Sequence, residues 1–359
     1  MTIRKRRSGR RTAALALAGL LLFAGGCAAP PAVQTGTQSV PADSFSIRTV
    51  LTNEKRDRIL VETALPVFSG FSAADELNRK IQKLTDDGVS QLREETADIA
   101  SGAGVALDRF YYGSFFDYSR NGDVLSVWIS SENYSGGAHG MHWITSFTVD
   151  TKTGKFYSPL SSLFRDPKTG VQKITDGILK KIEAQPDGYL PNAAQASQTV
   201  KDKKGDYGFY LDGGNLVVYF DVYELLPYAA GIPTYAFPAG DLDPGPKLSP
   251  LPPLGNVRCN GAAVPYQGQA FSGDSGVFLP LEETSALLGH GMTKKNGEYD
   301  VEGRKAPTKT IQGKVYAPLT FFTDALHDFV VYDGAILRFY TAEPVGTQAQ
   351  GMTVLLGQY

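Results

Sequence analysis

The chain is poor in the residues that support covalent staples and metal chemistry. It has two cysteines, Cys27 and Cys259, and four histidines among 359 residues. One pair of cysteines excludes a scaffold built on several disulfides. No two histidines have the His-x-x-x-His spacing that places zinc ligands on one face of a helix. A disulfide-rich module and a helical zinc hydrolase are therefore both disfavoured.

Acidic residues are absent before Cys27, where six arginines and lysines precede an apolar stretch over 12–24. This pattern is typical of a secretory leader, and its 13 apolar residues fall well short of the roughly 20 that span a bilayer. The sequence Phe23-Ala24-Gly25-Gly26-Cys27 resembles the bacterial lipobox. We therefore predict a signal peptide over 1–26 and lipidation of Cys27, with an ordinary secretory leader as the alternative.

This leader predicts an extracellular lipoprotein, anchored to the outer face of the cytoplasmic membrane of a Gram-positive bacterium. Its removal takes six positive charges from a formal net charge of −2 and leaves about −8. Nucleic acid is therefore not expected as a partner. Cys259 would be the one free thiol, in an alternating segment that favours a packing role.

The mature chain is rich in glycine, proline and aromatic residues, which favour strands and turns over long helices. Two proline-rich stretches divide it. We predict a flexible linker over 27–44, an α+β module over 45–243 with two subdomains split near 150–160, a linker over 244–255, a small α+β unit over 256–345, and a tail over 346–359.

The larger unit alternates strand and helix patterns. Strands are predicted at 45–51, 58–68, 109–118, 124–132 and 142–150, the last with a return strand, and at 209–211 and 216–220 around Asp212-Gly213-Gly214-Asn215. Helical spacing of apolar residues predicts helices over 77–92 and 171–182. The architecture expected is an antiparallel sheet with covering helices.

The smaller unit contains an internal repeat. Val277-Phe278-Leu279-Pro280-Leu281 recurs 38 residues later as Val315-Tyr316-Ala317-Pro318-Leu319. Each copy reads as a strand that enters a short helix. Two such units that cover one another account for the apolar positions without a ligand.

Two segments of the larger unit carry a family resemblance. The segment 134–140, Tyr-Ser-Gly-Gly-Ala-His-Gly, and the segment 219–231 resemble the extracellular module of the lysozyme-sensing anti-sigma-V factor. That module also precedes the catalytic domain of PdaC-type peptidoglycan deacetylases. The resemblance covers nearly all of 45–243, but the sigma-binding segment, the membrane span and the zinc-binding catalytic domain of these relatives have no counterpart here.

The smaller unit resembles the stalk domain named after the copper amine oxidase amino terminus, through Asn260-Gly261 and its two proline-leucine strands. This resemblance implies an accessory envelope module and neither copper nor a quinone cofactor. No cofactor is expected for the chain.

The resemblance to the lysozyme-sensing module implies a noncatalytic protein that binds peptidoglycan or a muralytic protein such as lysozyme. The predicted ligand contacts lie in the two matching segments and at the start of the strand that follows the first. They are Tyr134, Ser135, Gly136, Gly137, His139, His142, Tyr223, Glu224 and Tyr228. Neither catalytic residues nor metal ligands are predicted.

Other chemistry stays open as alternatives. His139 and His142 with Glu132 could bind zinc, and a glycan-modifying enzyme could use His139 or Glu224 for acid-base catalysis. The four residues at 273–276 copy a serine-protease nucleophile loop without a partnered histidine, and the glycines at 136–140 lack the lysine of a phosphate loop. A third reading is a structural spacer that positions another protein.

Overall fold

The computed structural model describes residues 45–56, 58–101, 110–249, 251, 255–266, 268–273, 276–333, 335–341 and 352–355. A five-stranded sheet, ordered β1-β2-β3-β4-β5, opens the fold. Its elements are β1 (Ser46–Arg56), β2 (Ile59–Ser69), α1 (Ala74–Ser101), β3 (Phe110–Asn121), β4 (Val124–Tyr134) and β5 (Met141–Asp150). Neighbouring strands are antiparallel except β2 and β3, which are parallel because α1 connects them as a crossover.

Helix α1 covers one face of this sheet with the apolar positions that the sequence pattern predicted. Leu77 and Leu92 are completely buried, and each such side chain contributes about 1.5–3 kcal/mol through the hydrophobic effect. Gly88 permits close packing, because a Cβ there would lie 2.3 Å from the ring of Tyr112. The Tyr112 hydroxyl donates a hydrogen bond to the carbonyl of Leu84 over 3.3 Å.

A second group of elements follows: α2 (Pro167–Ala184), α3 (Ala193–Asp202) and the antiparallel strands β6 (Gly208–Asp212), β7 (Asn215–Tyr219) and β8 (Thr234–Pro238). Asp166 caps α2 by accepting from the backbone N–H groups of Lys168 and Thr169. The predicted hairpin turn joins β6 to β7 at Gly213 and Gly214. Both predicted helices and the hairpin are therefore confirmed.

The carboxy-terminal part is made of short strands in three small sheets. Its elements are β9 (Val257–Cys259), β10 (Ala262–Ala263), β11 (Phe271–Gly273), β12 (Gly276–Pro280), α4 (Leu281–Leu288), β13 (Met292–Lys295), β14 (Glu298–Val301), β15 (Arg304–Lys305), β16 (Lys309–Ile311), β17 (Lys314–Pro318), β18 (Phe329–Tyr332), β19 (Leu337–Tyr340) and β20 (Met352–Leu355). The two repeated segments pair with each other, Leu279 opposite Ala317. A helix follows the first copy and a π-helical turn, Phe321–Ala325, follows the second.

Strands β18 and β19 pack against the first sheet, β1–β5, through apolar side chains. Phe329, Val331 and Tyr340 are buried in the same cluster as Phe115, and the rings of Phe115 and Phe329 have centroids 6.0 Å apart. The Tyr340 hydroxyl donates to the carbonyl of Phe116 over 2.7 Å. The core of the sheet thus continues into the carboxy-terminal part.

A buried ionic network lies at the same contact. Asp117 of β3 is completely buried, and its Oδ2 accepts from Nε of Arg338 over 2.9 Å. Nε of Arg258 lies 3.5 Å from Oδ1 of Asp117, and Nη1 of Arg338 donates to Asp333 over 2.7 Å. The two arginines come from β9 and β19, so the one carboxylate holds both strands against the sheet.

The predicted α+β class is confirmed, with one local correction. The predicted return strand after β5 is a single bridge between Val149 and Phe156. A longer ladder stops there because Pro159, three residues on, has no N–H to donate and the chain enters a 3-10 helix, Leu160–Leu163.

Several predicted features lie outside the described residues: the leader, Cys27, the first linker, Asp274 and Ser275, and most of the tail. Among the residues that are described, none of the helices is long and apolar enough to cross a membrane.

Glu62 makes the stability of the sheet depend on pH. Its side chain is buried, opposite Gly113, and burial raises its pKa from 4.5 to about 7, although a hydrogen bond with Tyr111 opposes the rise. The folded protein therefore binds more protons than the unfolded chain between these two values, and stability falls as pH rises through that window.

We predict that Glu62→Gln removes this dependence, because an amide does not titrate. Between pH 5 and pH 8 the wild-type free energy of unfolding should fall by about 2–3 kcal/mol more than that of the variant. Urea unfolding at both pH values measures the difference. Parallel curves for the two proteins would mean that Glu62 is ionised in the fold.

Candidate functional site

The loop between β4 and β5 has a tight backbone that glycine makes possible. Gly136 and Gly137 have φ of 105° and 100°, in the region that favours glycine. The Tyr134 hydroxyl donates to the carbonyl of Gly137 over 3.0 Å. A Cβ at Gly140 would lie 2.3 Å from the carbonyl oxygen of Asn133. The glycine-rich motif therefore serves to fold the loop back over the end of β4.

His139 leaves this loop between two tyrosines from the segment after β7. Its Nδ1 lies 2.8 Å from the carbonyl oxygen of Gly140, which can only accept, so Nδ1 carries the proton. Its Nε2 lies 3.1 Å from the Tyr223 hydroxyl, within hydrogen-bond distance. The ring of Tyr228 stacks on the imidazole, with centroids 4.0 Å apart and an interplanar angle of 22°.

His142 contacts the other side of Tyr228. Its Nδ1 lies 3.3 Å from the Tyr228 hydroxyl, and the two rings meet edge to face at 5.0 Å. Burial and the neighbouring His139 lower the pKa of His142 below 6.5. Burial, then Glu132 and Tyr223, raise the pKa of Tyr228 above 10. At neutral pH, His142 is therefore an uncharged imidazole and Tyr228 an uncharged phenol.

We name His139, His142, Tyr223 and Tyr228 the aromatic cluster. Tyr223 is its exposed member, with 48% of its surface accessible, and its φ of 67° is left-handed backbone that a tyrosine rarely adopts. Strained backbone that presents an exposed ring is typical of functional sites. The structure thus brings together four of the nine predicted contact residues from segments more than 80 positions apart.

The remaining predicted residues have other surroundings. Glu224 forms a salt bridge with Lys203 over 2.5 Å and accepts from the backbone N–H of Asp221 over 2.9 Å. Both contacts are within its own turn and the end of α3, so Glu224 is a structural carboxylate. Ser135 is half-buried, directly before the two loop glycines.

The zinc alternative finds no third ligand in the part of the chain that the structure describes. Glu132 lies directly opposite His142 in the β4–β5 ladder. No group of three histidine, cysteine, aspartate or glutamate side chains among the described residues could hold a metal ion. The donor set therefore does not fit a zinc centre.

A cleft of about 510 Å³ opens beside the aromatic cluster. Three parts of the fold line it. The five-stranded sheet contributes Trp128, Ser130, Ser131, His142, Trp143 and Ile144; the β6–β8 group contributes Tyr210, Tyr228, Ala229, Gly231, Ile232 and Thr234; the β18–β19 turn contributes Asp333, Ala335, Ile336 and Arg338. Its volume lies in the range of ordinary ligand pockets.

The walls of the cleft are aromatic with a few polar groups. Trp128 and Tyr210 stack with centroids 4.3 Å apart and an angle of 19°. Burial and the charges of Asp212 and Asp117 raise the pKa of Tyr210, so its hydroxyl keeps its proton. Sequence reasoning missed both residues. Strand alternation places Trp128 on one face with Glu132, but no sequence signal indicates that Tyr210 covers that face.

Two regions of the chain match known family models. Residues 52–142 match the model "Deacetylase PdaC", and residues 161–239 match "Protein of unknown function (DUF3298)". The first includes the loop of Tyr134 and His139, and the second includes Tyr223 and Tyr228. The aromatic cluster therefore joins the two matched regions.

Solved structures of the DUF3298 family are similar to part of the chain. A member from Bacteroides fragilis has 18% identity and a TM-score of 0.40, and covers 57% of this chain and 95% of its own. One from Pseudomonas aeruginosa has 16% identity and a TM-score of 0.35, with 57% and 99% covered. No curated protein matches the chain.

We predict that the strain at Tyr223 is measurable in glycine and alanine variants. Both lose the ring, but glycine adopts φ of 67° freely, so Tyr223→Gly should be about 1 kcal/mol more stable than Tyr223→Ala. Tyr228 is not among the residues with left-handed backbone, so Tyr228→Ala should be more stable than Tyr228→Gly. Urea unfolding measures the free energy of unfolding of each variant. If Tyr223→Ala is as stable as Tyr223→Gly, the backbone at position 223 is not strained.

Proposed function

We propose that this chain, with its PdaC and DUF3298 domains, is a noncatalytic protein of the cell envelope that binds peptidoglycan glycan. The domain names support a cell-wall setting outside the cytoplasmic membrane. The predicted lipid anchor at Cys27 agrees with that location and belongs to the same proposal. The single observation that carries the binding role is the aromatic cluster at the edge of a three-walled cleft.

The chemistry of the cleft suits a saccharide. Partly exposed aromatic rings such as Trp143 and Tyr228 offer apolar surface to the C–H side of a sugar, with polar edges for its hydroxyls. His142 and Tyr210 add neutral hydrogen-bonding groups. A volume of about 510 Å³ takes one or two sugar rings rather than a protein surface. Peptidoglycan therefore fits the cleft better than lysozyme, which would need about 800 Å² of surface on each partner.

The noncatalytic part of the proposal rests on how the titratable groups are used. Both nitrogens of His139 are engaged, by the Gly140 carbonyl and the Tyr223 hydroxyl. Glu224 is paired with Lys203. Neither residue has the arrangement of a general base held by a second group and aimed at a substrate position. The enzyme alternative would need one of them to be released when ligand binds.

We predict saturable binding of soluble muropeptides to residues 28–359 in calorimetric titration, with no product detected by mass spectrometry. Tyr228→Ala removes the ring shared by cluster and cleft, and should weaken binding at least tenfold, about 1.4 kcal/mol. Phe156→Ala is the matched control, because Phe156 is a half-buried aromatic residue outside the cleft lining. Its affinity should equal that of the wild type.

The same titration with lysozyme at low and moderate salt tests the second candidate ligand. A mature charge near −8 attracts any cationic protein, so only binding that persists at moderate salt would support a lysozyme receptor. Turnover of a muropeptide would assign an enzyme instead. No response to either ligand would favour the structural spacer.

A further inference from the structure

The third wall of the cleft comes from the carboxy-terminal part that resembles a stalk. The turn between β18 and β19 brings Asp333, Ala335, Ile336 and Arg338 to the cleft. Ala335 is exposed and Ile336 half-buried, so both are accessible to a bound molecule. This wall is separate in sequence from both matched family regions.

Among the described residues that line the cleft, Arg338 is the one buried cationic side chain. Only 2% of its surface is accessible. Its Nε donates to Asp117 over 2.9 Å and its Nη1 to Asp333 over 2.7 Å. The two carboxylates therefore hold two of the three guanidinium nitrogens and fix its plane.

The charge around Arg338 decides which ligand its third nitrogen, Nη2, can bind. Asp117, Asp333 and Asp212 face Arg338 and Arg258, which gives three carboxylates against two guanidinium groups and a formal charge of −1. Although burial alone would raise the pKa of Asp333, Arg338 and the N–H of Ile336 hold it below its usual value. A neutral acceptor such as an amide carbonyl meets no like charge there.

We propose that the β18–β19 turn forms part of the binding site, and that Arg338 Nη2 donates to a neutral carbonyl oxygen of the ligand, as in an N-acetylated sugar. Ile336 and Ala335 then contact the ring beside that carbonyl. The inference rests on the proposed glycan binding and adds a specificity: loss of the acetamido group removes the acceptor. The carboxy-terminal part is thus a wall of the site.

The test compares two uncharged probes, an N-acetylglucosamine trimer and a β-1,4-linked glucose trimer, by calorimetric titration of residues 28–359. Wild type should bind the acetylated trimer at least tenfold more tightly. Ala335→Trp fills the cleft from the third wall and should abolish that binding. Thr293→Trp, an exposed residue of β13 outside the cleft lining, is the control and should bind as wild type does. Thermal unfolding checks that both variants fold.

Arg338→Lys tests the donor itself, because lysine keeps the charge and loses the planar fork. If it folds, its preference for the acetylated trimer should fall at least fivefold, while its affinity for the glucose trimer stays within twofold. Unchanged binding in Ala335→Trp, or equal affinity of wild type for both trimers, would overturn the inference. If Tyr228→Ala weakens muropeptide binding and Ala335→Trp does not, the proposed function stands. The β18–β19 turn would then not be part of the binding site.

Discussion

The buried carboxylate of Asp117 is the constraint on which the arrangement of the molecule depends. A charge removed from water costs several kcal/mol unless it is paired and hydrogen-bonded. Asp117 offsets part of that cost by accepting a hydrogen bond from Arg338, and its Oδ1 lies within ion-pair distance of Arg258 without a hydrogen bond. Loss of either strand from the sheet would therefore leave Asp117 with less compensation. The apolar contact of Phe115 and Phe329 adds area, but the ionic network fixes the register and orientation of the two parts.

The cleft follows from that orientation. Because Arg338 is held by Asp117 on one side and Asp333 on the other, the turn that contains Asp333 lies over the sheet face that carries Trp128. Tyr210 closes the adjoining side by stacking on Trp128. The glycine-rich loop then brings His139 to the edge, against Tyr228. A site of this kind is made by contacts between segments, and each segment alone presents only part of it.

The sequence predicted the helices and turns that depend on neighbouring residues and missed the contacts between distant segments. Helical spacing predicted α1 and α2, and Gly213-Gly214 predicted the β6–β7 turn, because each depends on neighbouring residues. Chemical type and the family resemblance identified His139, Tyr223 and Tyr228 as candidates. Glu224 was predicted as a ligand contact because of its carboxylate, but that carboxylate forms a salt bridge with Lys203. No sequence signal indicates a partner 21 positions away.

The same limit applies to the third wall. The proline-rich stretch at 244–255 indicated a separate unit, and its domain boundaries remain a prediction, yet β18 and β19 share their core with the first sheet. A buried Asp–Arg pair separated by 221 positions is invisible to periodicity and composition. Its existence depends on the complete fold, in which Asp117 of β3 lies next to Arg338 of β19.

Hydrogen exchange of residues 28–359 and of Asp117→Asn tests this dependence most directly. The asparagine removes the negative charge between Arg258 and Arg338 and leaves Arg338 paired with Asp333 alone, so opening should become easier by about 3–5 kcal/mol. In the wild type, the amides of β3 and β19 should exchange through one shared opening, and in the variant both should lose protection together. Exchange of β19 that is independent of β3 in the wild type, or protection unchanged in the variant, would contradict the account.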